Sequence, residues 1–144
     1  NDSEGVLYVE IKGFENDAVS RPISINNGGT SDRVQIFLPS SQTQAYGRIT
    51  SNSATTADML ITLTQTEYNK IALKYKEDDF SLFVNGLELE TDTNGAVPSG
   101  LNNLSFDNGS TTDFYGRIKE LAVFELLTDS ELESLTSWDS FNEM

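Results

Sequence analysis

The sequence predicts an all-β fold, a sandwich or barrel, followed by one short helix near the C-terminus. Three observations carry that prediction. About ten short runs alternate apolar and polar side chains at the two-residue period of a strand. Turns rich in glycine and asparagine separate those runs. One helix-start signal stands late in the chain, around Thr128.

The elements follow in order. Residues 6–12 alternate, with Leu7, Val9 and Ile11 on one face and Tyr8, Glu10 and Lys12 on the other. Residues 22–26 form a weaker strand, and Asn26-Asn27-Gly28-Gly29 is a loop whose residues tolerate positive φ. In 33–38, Val34, Ile36 and Leu38 point inward, and Arg33, Gln35 and Phe37 outward. In 44–50, Gln44, Tyr46 and Arg48 oppose Ala45, Gly47 and Ile49. Residues 59–64 and 70–76 alternate too, the latter with Ile71, Leu73 and Tyr75 as its apolar set. In 80–84, Phe80, Leu82 and Val84 point inward, with Ser81 and Phe83 outward. Asn85-Gly86 is the signature of a two-residue type I′ hairpin. Residues 87–91, 101–106 and 116–124 complete the strands, with turns at Asn94-Gly95, 98–100 and Asp107-Asn108-Gly109.

The helix is predicted from a capping box. Thr128 is the cap and Glu131 lies three residues on. Leu127 and Leu132 are spaced as a hydrophobic staple, and Asp129, Glu131 and Glu133 favour the positive end of the helix dipole. Leu132 and Leu135 then face the body of the domain. Tyr-Gly-Arg-Ile occurs at 46–49 and again at 115–118. The shared need is glycine where neighbouring groups crowd, with Tyr and Arg outside.

Composition bounds the chemistry. The length of 144 residues suggests one domain, 1–144. The chain starts at Asn1, not Met, and is expected to be a piece of a larger protein. A strand before Asn1, or pairing of the first strand with the C-terminal tail, is expected to complete the sandwich. There is no cysteine and no histidine, so disulfides, thiolate metal sites and histidine-based triads are excluded within this chain. Calcium or magnesium, held by Asp, Asn and backbone oxygens, is the cation chemistry left. With 23 acidic and 9 basic side chains the net charge is -14, which disfavours nucleic acid and anionic membrane surfaces and favours solubility. No apolar run is long enough to insert into a membrane as a helix.

The segment 68–86 resembles the laminin-G-like pattern: an aromatic, an alternating strand, a polar turn, and a strand ending in Val84-Asn85-Gly86. The segment 114–133 is similar to that family's aromatic, Gly116, Ile118, Glu120 and closing Leu127-Thr128-x-x-Glu131-Leu132. Residues 4–10 resemble its opening strand. The resemblance implies an all-β, two-sheet antiparallel jelly-roll sandwich of the concanavalin A-like or laminin-G-like type, with one short C-terminal helix. The closing residues 135–144 resemble such modules in phage tail and virion surface proteins. That implies a virion-surface or extracellular location, with glycans or neighbouring chains of an assembly as partners.

The implied function is non-catalytic, lectin-like carbohydrate binding. Tyr8, Phe37, Tyr46, Arg48 and Arg117 are the candidate sugar-binding residues, together with outward Lys70 and Lys74. Aromatic faces stack on sugar C–H surfaces, and basic and amide groups bond the hydroxyls. The same residues also suit ordinary cross-strand packing on a half-exposed sheet. Asp32, Asp107 and Asn108, with Asn26, Asn27 and Asp113, are candidate calcium ligands, and equally ordinary turn residues. Calcium is the one cofactor considered, and none is required. Glu77-Asp78-Asp79 is most simply a solvated turn. A structural module of a phage particle without a glycan ligand is the alternative. A glycoside hydrolase is the weaker one, because Glu88-Leu89-Glu90-Thr91-Asp92 departs from the Glu-x-Asp-x-x-Glu order of related glucanases. Trp138 either serves a glycan or seals a core edge.

Overall fold

A computed structural model of the chain describes residues 2–15 and 19–137. The alternating runs form strands in the expected order: β1 (Glu4–Lys12), β2 (Arg21–Asn26), β3 (Arg33–Leu38), β4 (Gln44–Ser51) and β5 (Ala54–Thr62). Then come β6 (Asn69–Lys76), β7 (Phe80–Val84), β8 (Leu87–Asp92), β9 (Asn103–Ser105), β10 (Arg117–Phe124) and the helix α1 (Asp129–Ser137). Two five-stranded sheets result. The first runs β10-β1-β6-β7-β8 and the second β5-β4-β3-β2-β9. Neighbouring strands pair antiparallel throughout. This is the two-sheet jelly-roll sandwich, not a barrel.

Strand parity sets the core. Leu7, Val9, Ile11, Ile71, Leu73, Phe80, Leu82 and Val84 of the first sheet meet Ile23, Val34, Ile36, Leu38, Ile49 and Met59 of the second. Burying such side chains is worth about 1.5–3 kcal/mol each, which is the main force holding the sheets together. Gly47 permits their close approach: a Cβ there would lie 3.0 Å from Leu73 and Leu82. At Gly116, the second Tyr-Gly-Arg-Ile glycine, a Cβ would collide with the backbone oxygen of Lys12.

Turn chemistry matches the sequence at β7–β8, where Asn85 and Gly86 take φ of 50° and 89°. The β4–β5 hairpin was not expected. Asn52 and Ser53 adopt φ of 49° and 66°, so β5 begins at Ala54 rather than residue 59. Ser53 stands where glycine usually supplies that conformation, which hides the turn from a sequence reading.

The helix corrects one expectation. The Thr128 N–H donates to Glu131 Oε2 at 2.7 Å, and the Glu131 N–H donates to Thr128 Oγ1 at 3.3 Å, so the capping box forms. Leu132 and Leu135 then pack onto the outer face of the first sheet, against Val6, Tyr8, Ala72 and Phe83. Phe83, expected outward, is 0% exposed, and Tyr8 is 1% exposed. Parity points both away from the central core, but the helix covers them. Lys74, also expected on an open face, is buried at the helix start, bonded to Asp79 at 2.9 Å and Asp129 at 3.1 Å. Burial works to lower its pKa, but those two carboxylates outweigh it and hold the value above the ordinary one.

β1 is a central strand, flanked by β10 and β6. Trp138 and the rest of 138–144 lie outside the described residues. No helix among the described residues is long and apolar enough to cross a membrane.

Candidate functional site

With α1 on the first sheet, the outer face of the second sheet is the one that no helix covers among the described residues. Register builds this face in rows. Phe37 lies opposite Tyr46, and Tyr46 opposite Leu60. One step along, Ser24 lies opposite Gln35, Gln35 opposite Arg48, and Arg48 opposite Asp58. One step further, Asn26 lies opposite Arg33 and Arg33 opposite Thr50.

The first two rows form an aromatic–guanidinium platform. The Phe37 and Tyr46 rings stack, with centroids 4.7 Å apart and planes 3° from parallel. The Arg48 guanidinium lies 4.9 Å from the Phe37 centroid and 5.4 Å from that of Tyr46. Arg48 Nε and Nη2 each donate to the Asp58 carboxylate at 3.0 Å. An exposed pair of this kind adds about 0–1 kcal/mol, so its effect is to orient the guanidinium plane. Phe37 is 7% exposed beneath these neighbours, so Tyr46 and Arg48 present the accessible surface and Phe37 supports them.

The second and third rows hold polar atoms without partners. Arg33 Nε, Gln35 Oε1 and Thr50 Oγ1 are buried and take no hydrogen bond. Gln35 is 5% exposed and Thr50 4%. Each such atom costs about 1–3 kcal/mol unless water or a ligand completes it. Burial, and then the charge of Arg48, lower the pKa of Arg33. Two guanidinium groups, that of Arg33 partly buried and that of Arg48 exposed with Asp58, therefore share this patch of a strongly acidic protein. The loop after β9 borders the patch: Asn108 O accepts from Arg33 Nη1 at 2.6 Å, and Asp107 O accepts from Ser24 Oγ at 2.8 Å. A cleft of about 460 Å³ is lined by Val19, Ser20, Thr111, Thr112, Asp113 and Tyr115. Tyr46 and Arg48 do not line that cleft.

The sequence-predicted residues divide accordingly. Phe37, Tyr46 and Arg48 come together. Tyr8 does not join them: it is buried beneath α1 and donates to Glu120 at 3.2 Å. Burial first, and then Glu120 and Glu10, push its hydroxyl pKa far up. A side chain so covered offers no ring face to a sugar. Arg117 is exposed, but at the start of β10 on the other sheet. Arg33, Gln35, Thr50 and Asp58 complete the patch and were not singled out as site residues from the sequence. The outward parity of Arg33 and Gln35 was the available signal.

The predicted calcium ligands are engaged in local turns. Asp32 Oδ1 accepts the N–H groups of Ser99 at 3.0 Å and Asn52 at 3.4 Å, tying two loops together. Asp107 Oδ1 accepts from the N–H of Gly109, and Asn108 Oδ1 from those of Ser110 and Thr112. Among the described residues no three acidic side chains gather as a metal site. Glu88 and Glu90 are exposed on the edge strand β8.

No family model matches the chain, and no curated protein matches it in sequence. Solved structures do match in fold. The CBM40 module of a Ruminococcus gnavus IT-sialidase, bound to α2,3-sialyllactose, superposes with a TM-score of 0.73 at 19% identity, over 93% of this chain and 83% of that one. A heptameric SAP-like pentraxin from Limulus polyphemus gives 0.61 at 10% identity, over 96% and 71%. Sheep galectin-11 gives 0.56 at 8% identity, over 84% and 90%. What these share with the chain is the fold.

Proposed function

We propose that the chain is a non-catalytic carbohydrate-binding module whose site is the outer face of the second sheet. The observation that carries this reading is the platform of Tyr46 and Arg48 beside three buried polar atoms without partners. The ring supplies a stacking surface, and Arg33, Arg48, Gln35 and Thr50 supply donors and acceptors for hydroxyl or carboxylate oxygens. The sialyllactose carried by a module of the same fold supports the reading and names the first glycan to try. Paired guanidinium groups favour a sugar bearing a carboxylate. A virion-surface or extracellular setting, with neighbouring chains beside the module, fits the resemblance to phage tail modules.

The test is a glycan-array screen of the wild-type chain and a Tyr46→Ala, Arg48→Ala double variant, with folding checked by thermal melting. Binding to specific glycans, lost in a folded double variant, is the expected result. Specific binding retained in full by that variant removes the site from this face. A well-folded wild type that binds no glycan overturns the reading.

A further inference from the structure

A second cluster lies across the sandwich, where β1 ends and β10 begins. Lys12 and Arg117 are register partners there, placed directly opposite each other. Like charges so placed repel and destabilise the pair. Neither forms an ion pair within the described residues. Lys119 joins them: its ammonium lies 5.8 Å from the Tyr68 ring centroid, and that of Lys12 lies 5.2 Å from the same ring. Three of the chain's 9 basic residues thus crowd one spot of a protein of charge -14.

The spot is concave and flanked by aromatics. Lys12, Gly13, Phe14, Glu15, Thr66 and Arg117 line a cleft of about 250 Å³. Phe14 meets Tyr115 edge to face at 5.8 Å, and Tyr115 is 64% exposed. Glu15 is the one acid among the described residues of that lining. Lys119 reaches Glu10 Oε1 at 3.3 Å, while the buried Oε2 of Glu10 takes no partner. Gly116 makes the geometry possible, because any side chain there would strike the Lys12 backbone.

We infer that this cleft is a second binding site, for a saccharide unit that carries an oxyanion, either carboxylate or sulfate. An oxyanion between Lys12 and Arg117 relieves their repulsion and bonds both. The adjoining Phe14 and Tyr115 rings offer apolar surface to the sugar ring. The site shares no residue with the outer face of the second sheet and stands whether or not that face binds glycan.

The test is an NMR titration of the ¹⁵N-labelled chain with three hexasaccharides: one sulfated and uronic-acid-containing, the same one desulfated, and neutral maltohexaose. The expected result is saturable binding of the first, with shifts centred on Lys12, Phe14, Tyr115 and Arg117. Desulfated ligand that still binds assigns the carboxylate, and loss on desulfation assigns the sulfate. Lys12→Gln with Arg117→Gln weakens that binding at least tenfold without lowering the unliganded melting temperature, because a repelling pair has been removed. Tyr46→Ala with Arg48→Ala leaves it intact. No binding of either anionic hexasaccharide, equal binding of maltohexaose, or unchanged affinity in Lys12→Gln, Arg117→Gln overturns the inference.

Discussion

Truncating Leu132 to Ala tests why only one sheet face is left open. Leu132 is fully buried between α1 and the first sheet, against Val6, Tyr8, Ala72 and Phe83. The change removes three carbon groups, about 2.4 kcal/mol at roughly 0.8 kcal/mol each. The cavity left against rigid strands adds to that, and buried Leu→Ala changes cost about 2–5 kcal/mol in general. The expected loss is therefore about 3 kcal/mol. In urea, with an m-value of about 2 kcal/mol per molar, the midpoint falls by about 1.5 M. The assay is equilibrium unfolding followed by circular dichroism, with binding of an apolar dye to report release of α1 from Tyr8 and Phe83. A loss under about 1 kcal/mol with no dye binding would mean that α1 is not packed on that face, and the first sheet would then be a second open platform.

Four further outcomes follow from local geometry. Thr128→Ala removes the helix cap and costs about 1 kcal/mol, read in thermal melts. Glu131 behaves as a pH-dependent part of that cap: hydrogen bonds from the Thr128 N–H and hydroxyl hold its pKa below the ordinary 4.5. Its stabilisation is full above that ordinary value and is lost as pH falls through the depressed one, so the Glu131→Gln melting curve should show a shallower acid dependence than wild type. Asp32→Ala frees the Asn52 and Ser99 N–H groups of two loops and should cost about 2–3 kcal/mol in urea titrations, while millimolar calcium leaves the wild-type melting temperature unchanged. Gly86→Ala places a Cβ at φ 89° and 2.9 Å from Ser137 Cβ, and should lower stability by about 2 kcal/mol and loosen the end of α1 in amide exchange.

The strands were legible because a two-residue period is a property of the sequence itself. Val34, Ile36 and Leu38 against Arg33, Gln35 and Phe37 specify two faces whatever surrounds them. Parity does not say what covers a face. Tyr8 and Phe83 lie on the outer parity, and only the docking of Leu132 and Leu135 makes that side a core. Apolar Val6, Ala72 and Phe83 on one outer face, together with a helix needing a partner for two leucines, were the signal for it. The platform of Phe37, Tyr46 and Arg48 was legible because these side chains come from alternating positions of two successive strands. Arg33 and Thr50 join it through the β3–β4 register, and Asp58 through that of β4–β5, which depends on the Ser53 turn and on a bulge between Ile49 and Thr50. Neither feature has a glycine to announce it.

The central claim is that ligand is read on β3 and β4 of the uncovered sheet. The most direct measurement is an amide chemical-shift titration of the full chain with α2,3-sialyllactose. The account predicts saturable shifts concentrated on Arg33, Gln35, Tyr46, Arg48 and Thr50, with the residues beneath α1 unmoved. Shifts confined to α1 or to the first sheet, with none on β3 and β4, or no shifts at all at millimolar sugar, would contradict it.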